Sequence, residues 1–181
     1  MARNTNQQNQ ARDARLKKLA RSIESLAAKD ELLLRHARDM LKLRRTAASD
    51  LHAICAEFVS SVNRLLEHNE MELDPPVFGE ESFRDDITHL IQINVRGRIL
   101  QVGFRATPEL VSTEDFRVPY TLEGTVRAFN QELLEKDLIE EQLIFFTLEH
   151  HKRMWRFFDA RTYRSGPFDQ EYLIGLMEQL L

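Results

Sequence analysis

From Arg12 to Asn69, apolar side chains return with heptad spacing. With Leu16 at position a, that position reads Leu16, Ile23, Asp30, Ala37, Arg44, Leu51, Phe58 and Leu65. Position d reads Leu19, Leu26, Leu33, Met40, Ala47, Ile54 and Ser61. Twelve of these fifteen positions are apolar, which predicts a long helix of coiled-coil character. Position e reads Ala20, Ala27, Leu34, Leu41, Ala48, Cys55 and Val62, with no charge. A stripe over a, d and e is wider than a two-stranded seam. It suits three or more helices, or a helix that also packs on a domain.

Unbroken, the 58 residues from 12 to 69 would reach about 87 Å at 1.5 Å per residue. A domain of about 100 residues, with a radius of gyration near 13 Å, cannot cover that length. The chain is therefore expected to associate through this stripe, or to fold it back as a hairpin. The polar stretch 44–50 is the expected break, with Ser49 or Asp50 as a second cap. The interface expected from the stripe is Leu16, Leu19, Ile23, Leu26, Leu33, Leu34, Met40, Leu41, Leu51, Ile54 and Phe58. Asp30 and Arg44, both at a, have two readings: they snorkel at the edge of the seam, or they form a register pair between antiparallel helices.

After Pro75-Pro76 the rhythm changes. Pro75 is the first proline and Gly79 the first glycine, so every backbone breaker lies in the later part. Residues 86–95 alternate, Arg96-Gly97 makes a two-residue turn, and Ile99–Arg105 returns as a hairpin partner. Residues 106–116 read as a loop and Tyr120–Phe129 as a third strand. Asn130 caps a short helix to about Glu140. Leu143–Glu149 and Met154–Asp159 form a second hairpin, Ser165-Gly166-Pro167 is a breaker, and Asp169 caps a last helix. The expected fold is α+β: a long helix or helical hairpin, then a small antiparallel-sheet domain of order β-β-β-α-β-β-α. The expected division is a polar disordered tail at 1–11, a helical association region at 12–70 and a compact domain at 80–181.

The element order over 80–181 resembles that of the small dimeric chaperones of bacterial type III secretion. The resemblance implies a chain that holds an extended segment of a partner protein.

Charge sharpens the division. Residues 1–50 carry 12 Lys+Arg and 6 Asp+Glu, and residues 51–181 carry 13 and 23. A net of +6 thus stands before a net of −10, although the whole chain is only −4. Such asymmetry points to a partner for one end, which can be another copy of the chain. No segment has the roughly 20 apolar residues of a membrane span, and a polar start argues against a secretory leader. With a single cysteine, Cys55, a cytoplasmic location is the expectation.

Candidate chemistry is sparse. His150-His151 are neighbours, which point to opposite faces of a strand and cannot ligate one ion from it. No metal motif, nucleophile elbow or phosphate loop occurs, so no catalytic residue, metal or cofactor is expected. The segment 152–164 carries five Lys+Arg and one Asp, interleaved with Trp155, Phe157, Phe158 and Tyr163. An exposed sheet of that kind stacks bases and neutralises phosphates. Lys152, Arg153, Trp155, Arg156, Arg161 and Arg164 are therefore the candidate surface for a protein partner or nucleic acid. A net acidic domain disfavours nucleic acid and favours the other reading, in which these aromatics are core and the arginines pair with the domain's many acids. The leading expectation is a non-enzymatic oligomeric adaptor that self-associates through its helix and binds a protein partner through its α+β domain. The alternatives are a nucleic-acid-binding protein using the basic start or this hairpin, and the chaperone.

Overall fold

The computed structural model describes residues 2–68, 70–111, 118–149 and 152–181, with side chains omitted for 2–11 and 109–111. Residues 2–11 of the expected tail are backbone of the first turns of α1, while Met1 and the pair His150-His151 lie outside the described residues. The fold is α+β. Its elements are α1 (Ala2–Asn63), β1 (Glu72–Asp74), β2 (His89–Val95), β3 (Arg98–Val111), β4 (Tyr120–Phe129), α2 (Gln131–Glu135), β5 (Glu140–Glu149), β6 (Lys152–Asp159), β7 (Arg164–Pro167) and α3 (Gln170–Glu178). The chain divides into two compact units, Met1–Lys42 and Leu43–Leu181.

The first unit is the front of α1. Every residue from Arg12 to Asp39 is exposed. The second unit contains the rear of α1, the sheet, α2 and α3. All seven strands run antiparallel to their sequence neighbours, in the order β1 to β7. Such a meander needs only short connections, which the turn residues supply. Arg96 and Gly97, with φ of 51° and 80°, make the expected two-residue turn between β2 and β3.

Strand alternation builds the core. Ile91 and Ile93, Leu100 and Val102, Leu122 and Val126, and Ile144 and Phe146 are buried, and the pairing places them on one face. The rear of α1 covers that inner face. Ala47, Ala48, Leu51, Cys55 and Phe58 are almost completely buried. Trp155 on β6 fastens the helix, its indole N–H donating to the carbonyl of Ala47 at 2.7 Å. The Gln170 amide donates to Ile54 O at 3.3 Å. At the helix end, Asn63 donates to Met71 O and accepts from Met71 N, both at 2.8 Å. α3 packs on β6: Leu173, Leu176 and Met177 are buried, and the Tyr172 ring stacks on Phe157 with centroids 4.3 Å apart.

The outer face carries the row Leu90, Gly103, Thr125, Leu143, Phe158 and Ser165, each opposite the next across the sheet. Tyr120, Phe145 and Phe158 form a small buried cluster there. The strands come unusually close at Gly124. A Cβ added at this position would lie 2.1 Å from the carbonyl oxygen of Gly103, so only glycine fits.

Several expectations are corrected. α1 shows no break at 44–50, because Arg44 is buried and hydrogen-bonded and Ala47 and Ala48 lie in the core. The segment after Arg105 is not a loop at first. β3 continues to Val111 through an irregularity between Ala106 and Val111, which accommodates Pro108. β2 starts at His89 rather than residue 86, since the Arg84 guanidinium holds the Asp86 carboxylate in a bidentate turn at 2.9 and 3.1 Å. Asn130 caps α2 by accepting from Leu133 N at 2.9 Å, but the helix stops at Glu135 and Asp137 turns away with φ of 54°. Ser165-Gly166-Pro167 belongs to the edge strand β7 rather than to a loop. The Phe157 ring covers Gly166, where a Cβ would approach to 2.8 Å.

Candidate interaction surface

The expected stripe separates into two kinds of residue. Leu16, Leu19, Ile23, Leu26, Leu33 and Leu34 are 55–66% exposed. Met40 and Leu41 are half-buried. Leu51 and Phe58 are buried and Ile54 is half-buried, all within the chain's own second unit. These three are accounted for by the sheet and α3 without any second chain.

The register candidates divide likewise. Asp30 is exposed. Arg44 is buried and committed within its own unit. Its Nε donates to Thr121 Oγ1 at 2.8 Å, one terminal nitrogen donates to Thr107 O at 2.5 Å, and the other lies 3.4 Å from the Asp85 carboxylate. A buried guanidinium needs such partners, because an unpaired one forfeits its hydration. Arg44 thereby ties α1 to β3, β4 and the segment before β2.

The basic-aromatic hairpin is mostly internal. Trp155 is 3% exposed and spent on Ala47, Phe158 is buried, and Phe157 is stacked against Tyr172. Arg156 is half-buried and donates to Ser165 Oγ at 3.4 Å. Arg161 forms a fork with the Glu140 carboxylate, one arm at 2.7 Å. Lys152, Arg153 and Arg164 are exposed, with the exposed Tyr163 ring beside Arg164 in sequence. The aromatic platform that base stacking requires is thus used by the core.

The two buried histidines hold backbone. His52 Nε2 meets the Pro75 carbonyl at 2.8 Å, so that nitrogen carries the proton. The His89 ring is stacked between Phe83 and Phe104, with its Nε2 against the backbone of Arg84. Burial pushes the Cys55 thiol up to about 12, which keeps it protonated and unreactive. The Tyr172 hydroxyl, also raised by burial and then by the charge of Asp159, donates to Gln142 Oε1 at 2.7 Å. Among the described residues, no three His, Cys, Asp or Glu side chains gather in a metal-binding group. Nor is any described helix long and apolar enough to cross a membrane.

The sheet edges are short. β1 has three residues and runs into Pro75-Pro76, and β7 has four and ends at Pro167. Short, proline-ended edges resist the addition of another strand. The split of the stripe was invisible in the sequence, because apolar spacing is the same whether a helix faces its own sheet or another chain. The one available signal was Trp155, the single tryptophan, whose N–H needs an acceptor wherever the ring is buried.

Comparison with protein-family models, with curated proteins and with solved structures finds no match for this chain.

Proposed function

We propose that this chain is a non-enzymatic, self-associating interaction protein. The front of α1 joins copies, and the α+β body presents a surface to a protein partner. The observation that carries the reading is the exposed run from Arg12 to Asp39, with six large apolar side chains at heptad spacing. A contiguous apolar stripe of this size on a solvated helix costs free energy until it is covered. An isolated amphipathic helix gains most of its stability from such cover. The bonded state of the hairpin 152–164 weighs against the nucleic-acid reading, and the short edges weigh against holding an extended segment by strand addition. Lys152, Arg153 and Arg164, exposed on the body, are the candidate residues that remain for the partner.

Sedimentation velocity of the full chain at micromolar concentration tests the reading. An oligomer is expected, and Leu19→Asp with Leu26→Asp should return it to a monomer. A full chain that sediments as a monomer overturns the proposal.

A further inference from the structure

We infer that the front of α1 pairs with the same stretch of a second copy in antiparallel orientation. Leu16 lies opposite Leu33 of the second copy, Leu19 opposite its Asp30, and Ile23 opposite its Leu26. The inference rests on the self-association proposed above and names its geometry.

Asp30 decides the direction. It sits at position a and is exposed, as are all residues around it from 12 to 39. In a parallel, in-register pair, a faces a, so two Asp30 carboxylates would meet inside the seam. Like charges there repel while also losing water. In an antiparallel pair, a faces d, and the two carboxylates move to opposite halves of the contact. Each then lies beside Leu19 of the second copy, with Arg15 of that copy one turn away as a counter-charge.

The remaining charges favour the same choice. The stretch 12–21 has five Lys+Arg and one Asp. A parallel pair stacks this charge on itself. The antiparallel register sets it beside 28–37, where Lys29 and Arg35 are balanced by Asp30 and Glu31. Along the b flank, Lys17 falls opposite Glu31 of the second copy, and two-fold symmetry repeats the pair. On the e side, Ala20 meets Ala27, again twice, and small side chains permit the close approach that a wide a-d-e stripe needs. Glu24 meets its own copy at the axis, on the rim, where solvent screens the repulsion. A parallel pair would gain Glu24 and Glu31 beside Lys29. Such exposed pairs are worth little against two carboxylates in the seam.

Disulfide mapping in the full chain tests the register, and Cys55 does not interfere because it is fully buried. A disulfide needs Cα atoms about 4.4–6.8 Å apart. Leu16→Cys and Leu33→Cys chains carrying different tags are mixed, exchanged and mildly oxidised, and Leu19→Cys is oxidised alone. The inference expects a mixed disulfide between the first two. It expects none from Leu19→Cys, whose copies would be offset by about 16 Å at 1.5 Å per residue. A dimer in which Leu19→Cys links to itself, or in which the mixed disulfide is absent, overturns the antiparallel register and leaves self-association standing. A chain that sediments as a monomer before oxidation removes both.

Discussion

The front and rear of α1 carry the same heptad stripe and have opposite environments. From Leu16 to Leu34 the stripe is open to solvent. From Ala47 to Phe58 it is core. The heptad rule identifies an apolar face but not what covers it. What separates the two stretches is polar detail. The rear has Arg44, His52 and the carbonyl of Ala47, each bonded to the body. The front has charged residues whose bonds, such as Arg35 with Glu31, stay within the helix. Apolar spacing shows where a surface is sticky, and long-range hydrogen bonds show which partner has been fixed.

Mutations on the two stretches should therefore report on different equilibria, with Trp155 fluorescence as a probe of the body. Phe58→Ala removes a ring that is 2% exposed and should cost about 3–5 kcal/mol in urea unfolding. A loss below about 1 kcal/mol would mean that the rear stripe is not core, and the comparison would collapse. Arg44→Met removes one donor each from Thr121 Oγ1 and Thr107 O and a counter-charge from Asp85. It should cost about 1–3 kcal/mol by the same measurement, with no change in sedimentation. Trp155→Phe keeps an aromatic ring and deletes the bond to Ala47. Followed by circular dichroism, it should lose about 1–2 kcal/mol, and an unchanged midpoint would show that this bond does not hold the helix. The smallest effect on the body belongs to Leu26→Ala, within about 0.5 kcal/mol. Its effect should appear instead as weaker self-association in sedimentation. If it lowers body stability as much as Phe58→Ala does, front and rear are a single core and the distinction fails.

The sequence was most legible where a local interaction decides the structure. Tyr120–Phe129 is a strand with the bounds expected from its alternation, and the side chains of Asn130 and Asp169 cap α2 and α3 as expected. It was least legible where partners are remote. β1 and β7 are three and four residues long, too short for alternation to speak, and both are recruited by a neighbouring strand. Residues 44–50 read as a polar break because Arg44 counts as a surface charge until Thr121, 77 residues away, is known to receive it. For the hairpin 152–164 the residue types allowed a binding surface or a set of core aromatics with acid-paired arginines, and the domain's net negative charge favoured the second. Ala47, Tyr172 and Glu140 absorb Trp155, Phe157 and Arg161, and what remains for a partner is smaller than the residue types allowed.

The sequential order of the strands has a consequence for how the chain is made. Each strand pairs only with its neighbour in sequence, so the sheet can lengthen one hairpin at a time as it is synthesised. The rear of α1 cannot share that schedule. Its carbonyl at Ala47 must wait for an indole that lies 108 residues downstream, and Ile54 for an amide 116 residues away. During that interval the newborn helix exposes along its whole length the stripe that later stays open only at its front. The chain therefore emerges with its future core and its lastingly exposed stripe as one continuous adhesive surface.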